Sequence, residues 1–415
     1  MKDFIKNFNE SLWEKSLGTI VKEGAEKLLK FAVSTEFENF FSEYSQLKGE
    51  SGKQLIVRNG YHKPRAIMTS AGSIKLRVPR VEDLRFKGKG HKGKVKFHSR
   101  LVPPYLRRSQ EVDEFIPYLY LKGISSGDFS DVLSKLFKEE VSLCPQTVSR
   151  LKQNWEKEFE EWNQRDMSGK RYIYWWVDGV HFSIRMESSR NCILLIIGVL
   201  PDGQKELVAV EEGPVESEMA WRNILLGLKQ RGLSQCPSLA TGDGASGFWK
   251  ALLKEFPQTK HQRCWVHKTE NVLDKLPKSV RPEGKRLIHE IYLAPRKKEA
   301  LEAFDQFVQL FEAKYPRATE CLLKDKEETL TFFNFPAEHW RHIRSTNAIE
   351  STFATIRLRT YKTRGCLSRK TALAMVFKLS QAAEKRWQRI HRYKLLPEVL
   401  EGKTFVDGVR HEKAA

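Results

Sequence analysis

No Cys-x-x-Cys pair occurs in this chain: Cys144, Cys192, Cys236, Cys264, Cys321 and Cys366 are scattered singly. That spacing excludes a zinc ribbon and does not suit a disulfide framework, so reduced thiols are expected. Long apolar runs are missing too. The longest, residues 192–200, is far too short to cross a bilayer, and the opening MKDFIKNFNESLWEK lacks the apolar core of a signal peptide. A cytoplasmic protein with no membrane partner is expected. Negative charge is scarce where positive charge is densest. Between residues 53 and 108 only Glu82 and Asp83 oppose a basic series that includes Arg58, Arg65, Arg80, Lys87, Lys89, Lys92, Lys94, Lys96 and Arg107.

Across all 415 residues, 72 Lys and Arg face 52 Asp and Glu, a formal charge of +20 that points to a polyanionic partner. Within the basic stretch, KGKGHKGKVK at 87–96 reads as a loop that orders on phosphates. A solvated, solubilising loop is the alternative. Residues 112–155 then read as helices separated by short polar breaks: VDEFIPYLYLKG, SSGDFSDVLSKLFK and CPQTVSRLKQNWEKEFEEW. The last two form a helix-turn-helix candidate, capped by Ser126 or Asp128 and by Ser142. In that motif the second helix reads base edges with its N-terminal residues, which nominates Gln146, Thr147, Ser149 and Arg150. A simple packing hairpin is the alternative.

Three acidic residues stand in distinctive contexts. Asp178 ends the aromatic run YIYWWV and so belongs near the carboxyl end of a buried strand. Asp243 follows a short strand and is flanked by Gly242 and Gly244, as where a strand stops and the chain turns. Glu350 lies on a helix opened by Ser345, Thr346 or Asn347, with Ile349, Phe353 and Ile356 spaced along one face. Gathered at one edge of an α/β sheet, these carboxylates would hold two Mg²⁺ or Mn²⁺ ions for phosphodiester chemistry. Each taken singly is as well explained as a cap, a turn residue or a solvated charge.

The segments around them set the expected order. RYIYWWVDGVHFSIR, CILLIIGVL and KELVAVEEG read as three strands, the last two joined by a turn at Pro201, Asp202 and Gly203. A helix with Trp221, Ile224, Leu225 and Leu228 on one face follows, then the strand of Asp243, a helix near 247–256 and a short strand in KHQRCWV. Three antiparallel strands, helix, strand, helix, strand, helix is the order of a ribonuclease H-like fold, which sets its first and fourth strands side by side. Residues 269–340 are too long for a loop, and Ala300, Leu301, Phe304, Phe307, Val308, Leu310 and Phe311 argue for a helical insertion. Beyond Glu350, the residues Arg357, Arg359, Lys362 and Arg364 are placed to grip phosphates, or else form a solvated helix face.

Several segments carry a resemblance. RNGYHKPRAIMTSAGSIKLRVPR, VDGVHFSIR, GPVESEMAW, DGASGFWKAL, FPQTKHQRCWVHKTENVLDKLPKS and STNAIESTFATIRLRTYKTRGCLS resemble, in order, the Mutator family of transposases of bacterial insertion sequences. The likeness runs from about Arg58 into the C-terminal region. It implies a DDE transposase with its triad on Asp178, Asp243 and Glu350, which would bind double-stranded terminal inverted repeats, nick them and join them to target DNA. It also implies a homodimer or larger assembly on DNA. The family's Cys-x-x-His signature falls on Cys264 and His267, where support of the active site is expected rather than zinc ligation, since no second ligand pair is in view. Trp221 matches a family tryptophan and is expected to support the site by packing in the core, with stacking on DNA the alternative. Val215 departs from the pattern, standing where a basic residue precedes the Glu-Ser pair.

The resulting division is 1–110, N-terminal helices and a basic DNA-contacting region; 111–165, the helix-turn-helix-like domain; 166–268 and 341–395, the two parts of the catalytic domain; 269–340, the insertion; and 396–415, a C-terminal tail. Two rivals share part of this pattern. A DNA-binding regulator would need the charge and not the carboxylates, whereas a ribonuclease H-like nuclease would cut without joining.

Overall fold

The computed structural model describes residues 15–86, 93–121, 124, 128–137, 145–183, 190–213, 217–347, 350, 352, 354, 356 and 369–411. The chain divides into two compact units, Met1–Val148 and Ser149–Ala415. The segments expected at 166–268, 269–340 and 341–395 all fall in the second, and 111–165 is shared between them.

In the first unit, helix α1 (Leu17–Glu43) is capped by Ser16, whose hydroxyl accepts from Thr19 N. It buries Val33 and Phe37 against Ile67, Leu76, Val78, Phe97 and Val102. Those residues sit on or beside four short strands that the charge-led reading did not anticipate. β1 (Ile56–Tyr61) pairs with β4 (Pro79–Asp83), and β2 (Arg65–Thr69) with β3 (Gly72–Leu76), both antiparallel. In β3 the pleat turns Ile74 and Leu76 inward and Lys75 outward. The described part of the basic stretch is therefore carried on a folded element. Asp83 is fully buried, and the Arg85 guanidinium on its carboxylate, with the N–H groups of Val95 and Arg85, holds its pKa far below the usual range. Helices α2 (Gln110–Leu121) and α3 (Phe129–Phe137) follow.

The second unit is built on a five-stranded sheet of order β7-β6-β5-β8-β9. β5 (Tyr174–Ser183), β6 (Arg190–Val199) and β7 (Lys205–Gly213) are antiparallel neighbours; β8 (Leu239–Gly242) and β9 (Lys260–Arg263) run parallel to β5 on its other side. Helices α5 (Glu218–Gln230) and α6 (Ser246–Glu255) cover one face, where Trp221, Leu225, Phe248 and Leu252 meet Trp175, Val177, Leu194 and Ile196. The opposite face receives residues 335–346. Tyr174 shares a 2.9 Å hydrogen bond with His339 Nδ1, and Trp176 Nε1 donates to the His342 carbonyl at 2.9 Å. Burial on both faces explains why β5 reads as an unbroken apolar run. Helix α4 (Pro145–Asn163), which precedes the sheet, sets Phe159 and Trp162 against Phe377 of α11 (Arg369–Glu384).

Between β9 and the Glu350 region the chain is helical among the described residues: α7 (Trp265–Leu273), α8 (Arg281–Leu293), α9 (Lys297–Phe311), α10 (Pro316–Leu323) and short turns as far as Ile343. On α9 the buried stripe is Ala300, Ala303, Phe304, Phe307 and Phe311, whereas Leu310 is 60% exposed because it lies off the 3.6-residue stripe. Residues 396–411 are docked, not trailing: Phe405 is buried, Gly408 N donates to the Phe333 carbonyl, and Asp407 Oδ1 accepts from Lys297 N. Among the described residues no helix is long and apolar enough to cross a membrane.

Packing of residues 335–346 has a consequence for acid stability. Desolvation lowers the pKa of His339, and desolvation with the nearby charges of Lys205 and Arg341 brings His342 down to about 4. Both imidazoles are harder to protonate folded than unfolded, so below pH ~6.5 the unfolded state binds more protons and stability falls as pH drops toward 4. Tm is expected to decline over that interval, and to decline less in His342→Gln. An equal decline in the two proteins would show that His342 is not a source of it.

Candidate active site

The strand register aligns the candidate residues. β5 and β8 pair Tyr174 with Leu239, Ala240 with Trp175, and Trp176 with Thr241, so Asp243 continues opposite Asp178. β8 and β9 pair Gly242 with Arg263, so Cys264 continues opposite Asp243. Asp178, Asp243 and Cys264 thus form a row across three neighbouring parallel strands, just past the ends of β8 and β9 but midway along β5, which runs on to Ser183 and does not stop near Asp178 as its sequence context suggested. Alternation fixes their face. Two residues before each stands Trp176, Thr241 or Gln262, and all three bond to residues 329–343 on the face away from α5 and α6.

Each aspartate is oriented by its own backbone. Asp178 Oδ1 accepts from Gly179 N at 2.8 Å, and Asp243 Oδ1 from Ala245 N at 2.7 Å, while the Asp243 carbonyl takes the Trp249 indole N–H at 2.8 Å. The glycines around Asp243 serve close approach, since neither has positive φ. A Cβ on Gly242 would lie 3.3 Å from the Trp249 ring and from the Val177 carbonyl oxygen, and one on Gly244 would lie 2.7 Å from Arg263 Nη2.

Cys264 caps α7 and is fully buried, with Sγ 3.3 Å from both the hydroxyl and the N–H of Thr346. Trp265 N donates to the Arg344 carbonyl, and Thr241 Oγ1 to the Ile343 carbonyl at 2.6 Å. Residues 342–346 are therefore laced across β5 and the ends of β8 and β9. From that lacing the helix of Glu350 departs: Glu350 N donates to the Thr346 carbonyl at 3.1 Å, and Thr352 and Ile356 are buried. Glu350 lies one helical turn beyond the Cys264 contact. Among the described residues, no three His, Cys, Asp or Glu side chains are grouped closely enough to share a metal ion. Asp178 and Asp243 stand as a pair.

His267, in the first turn of α7, is held up to about 9 by the Cys264 sulfur and, beyond desolvation, by the charges of Asp178 and Asp243. Its Nδ1 is buried without a hydrogen-bond partner among the described residues. Burial pushes the Cys264 thiol up, yet the adjacent His267 and Thr346 bring it below its ordinary value. Trp221 is 1% exposed and packs edge-on to Phe248 at 5.0 Å.

Other sequence-nominated residues lie elsewhere. Arg150 is exposed on α4; the side chains of Gln146, Thr147 and Ser149 on the same helix lie outside the described residues. So do Lys87, Lys89, Lys92, Arg357, Arg359, Lys362, Arg364 and Val215, whereas Lys96 is exposed and Lys94 half-buried. Sequence reasoning took Thr346 only as a possible helix cap and missed its contact with Cys264, 82 positions away, and it passed over the buried cations Arg263 and Lys268.

Residues 9–390 match the family described as Transposase, Mutator family. The chain belongs to that family. It is 44% identical over 297 residues to the transposase for insertion sequence element IS6120 of Mycolicibacterium smegmatis, covering 72% of this chain and 92% of the relative. It is 45% identical over 287 residues to the transposase for insertion sequence element IST2 of Acidithiobacillus ferrooxidans, covering 67% and 95%. A solved Drosophila P element transposase strand transfer complex aligns at a TM-score of 0.30 with 10% identity, over 70% of this chain and 84% of that one, a likeness too slight to bear on the fold.

Proposed function

We propose that this Mutator-family transposase binds the terminal inverted repeats of an insertion sequence and catalyses divalent-metal-dependent cleavage and strand transfer through Asp178, Asp243 and Glu350. The observation that carries the reading is the register: two carboxylates at the same level on adjacent parallel strands, facing the segment that leads to Glu350. The strand order, three antiparallel strands followed by two parallel ones beside the first, supports a ribonuclease H-like assignment. Open α/β sheets carry their sites at such strand ends.

The donor chemistry fits Mg²⁺ or Mn²⁺, hard ions held by one or two carboxylate oxygens, better than zinc, because Cys264 and His267 have no second Cys or His pair grouped with them among the described residues. A bound pair of such ions supplies activation of the attacking oxygen and charge stabilisation of the leaving one. Asp178 and Asp243 would hold the ions, and Glu350 would complete the set. The two aspartates are oriented by backbone N–H groups before substrate arrives. His267, whose pKa is raised by Cys264 and by the Asp178 and Asp243 charges, has a buried Nδ1 without a partner among the described residues and is available as a hydrogen-bond donor beside the two aspartates.

Double-stranded DNA is the partner the +20 charge calls for. The stretch 53–108 and α4 supply its contacts in this reading, with Arg150 among the readers. Two ends must meet for strand transfer, so the working unit is a homodimer or larger assembly on DNA.

The test is a labelled duplex carrying the element's own terminal repeat, incubated with Mg²⁺, Mn²⁺ or EDTA and with wild type or Asp243→Asn. Nicked and joined products are expected with either ion, and none with EDTA or the variant, while binding persists. Tight binding without cleavage in any ion would make the chain a regulator. Cutting without regard to end sequence, and without joining, would make it a nuclease.

A further inference from the structure

Arg263 is the last paired residue of β9 and is 5% exposed, yet its Nε and Nη1 have no hydrogen-bond partner among the described residues. Its ion partner Asp325 lies 3.7 Å from Nε, and the same Asp325 oxygen lies 4.0 Å from Lys268 Nζ. One half-exposed carboxylate is shared by two buried cations. A guanidinium carries five donors in a planar fork that matches phosphate oxygens, and burying them unpaired is costly. The side chain borders space, with Nε and Nη1 themselves buried just behind that surface. Arg263 lines a cavity of about 300 Å³ with Asp243, Lys268, Lys275 and Lys324, and also borders an adjoining one of about 230 Å³. Asp274, a further carboxylate on the larger cavity, is paired with Arg281 at 3.4 Å. Gly244 leaves room for the guanidinium against the very turn that carries Asp243.

We propose that Arg263, backed by Lys268, binds a backbone phosphate of the DNA strand being cut and holds that strand beside Asp243. The inference rests on the strand-transfer reading above and deepens it. A phosphate in the cavity would reach the buried N–H groups after a small shift of the Arg263 side chain, pair them, and supply a further anion to two cations that share Asp325. Lysine at position 263 would keep the charge and lose the planar fork.

A methylphosphonate scan tests this. Single uncharged linkages are placed in turn at each phosphate of the terminal base pairs, and binding by wild type, Arg263→Ala and Asp325→Asn is measured alongside cleavage. At one position the uncharged linkage is expected to weaken wild-type binding about tenfold, the order of one charge-assisted hydrogen bond, and to leave Arg263→Ala unchanged. Asp325→Asn keeps the fork and loses only its carboxylate partner, so it is expected to bind the unmodified duplex at least as tightly as wild type. Equal losses in wild type and Arg263→Ala at every position would overturn the proposal. Weakened binding by Asp325→Asn together with a lowered Tm would also overturn it, and that arm decides the matter even where Arg263→Ala does not fold. Because the coupling is read from binding, the two readings separate: coupling without any cleavage sinks strand transfer alone, and cleavage without coupling sinks the phosphate site alone.

Discussion

Asp178→Asn is expected to slow end cleavage by on the order of 10³-fold, about 4 kcal/mol of transition-state stabilisation, while the terminal duplex still binds. The amide is nearly isosteric with the carboxylate, and its oxygen can keep the 2.8 Å bond from Gly179 N, so the change removes charge with little change of shape. Charge is what a site for hard divalent ions needs. Charge is also what the apo fold tolerates poorly here, because Asp178 is 9% exposed and continues the ladder directly beside Asp243. The change relieves repulsion from Asp243 and gives up attraction to the His267 imidazolium, so Tm is expected to change little as activity disappears. Glu350→Gln is expected to match it in rate. The measurements are single-turnover nicking, duplex binding and thermal melting on one set of proteins. An Asp178→Asn protein that cuts normally would remove the residue from the chemistry, and one that neither binds nor melts cooperatively would make it structural.

Legibility in the sequence followed local physics. The run before Asp178 announced a strand buried on two faces, and the helix of Trp221, Ile224, Leu225 and Leu228 announced its stripe, because in both cases one period organised the residues. The glycines beside Asp243 marked the right place for another reason: neighbouring side chains crowd the backbone there, with no left-handed turn. In the first unit, charge density hid the strands. β2 and β3 are five residues long, and each turns few apolar side chains inward between Arg65, Lys75 and their basic neighbours, so alternation was too brief to stand out. The Cys264–Thr346 contact had no local signal at all, since it joins residues 82 positions apart through one sulfur. Arg263 was overlooked because basic residues are abundant here and nothing in the sequence distinguishes a buried guanidinium from a solvated one.

Trp221→Ala is expected to cost about 3–5 kcal/mol, the usual consequence of emptying a large buried aromatic site. For a unit of this size that corresponds to a fall in Tm of roughly 10 °C. The indole is 1% exposed, sits edge-on to Phe248 at 5.0 Å, and belongs to the layer through which α5 and α6 grip the sheet behind Asp178. Its Nε1 has no hydrogen-bond partner among the described residues, so Trp221→Phe gives up volume without giving up a bond. That variant is expected to lose only about 1–2 kcal/mol and to keep cleavage. If Trp221 instead stacked on DNA, alanine would weaken duplex binding at unchanged Tm, and phenylalanine, which retains a stacking face, would rescue binding. Stacking would require α5 to lift from β5 and expose a core of Trp175, Val177 and Leu194, a larger loss of buried apolar surface than one base contact returns. Melting and duplex binding of the two variants therefore separate the roles, with the fall confined to Tm if Trp221 packs the core.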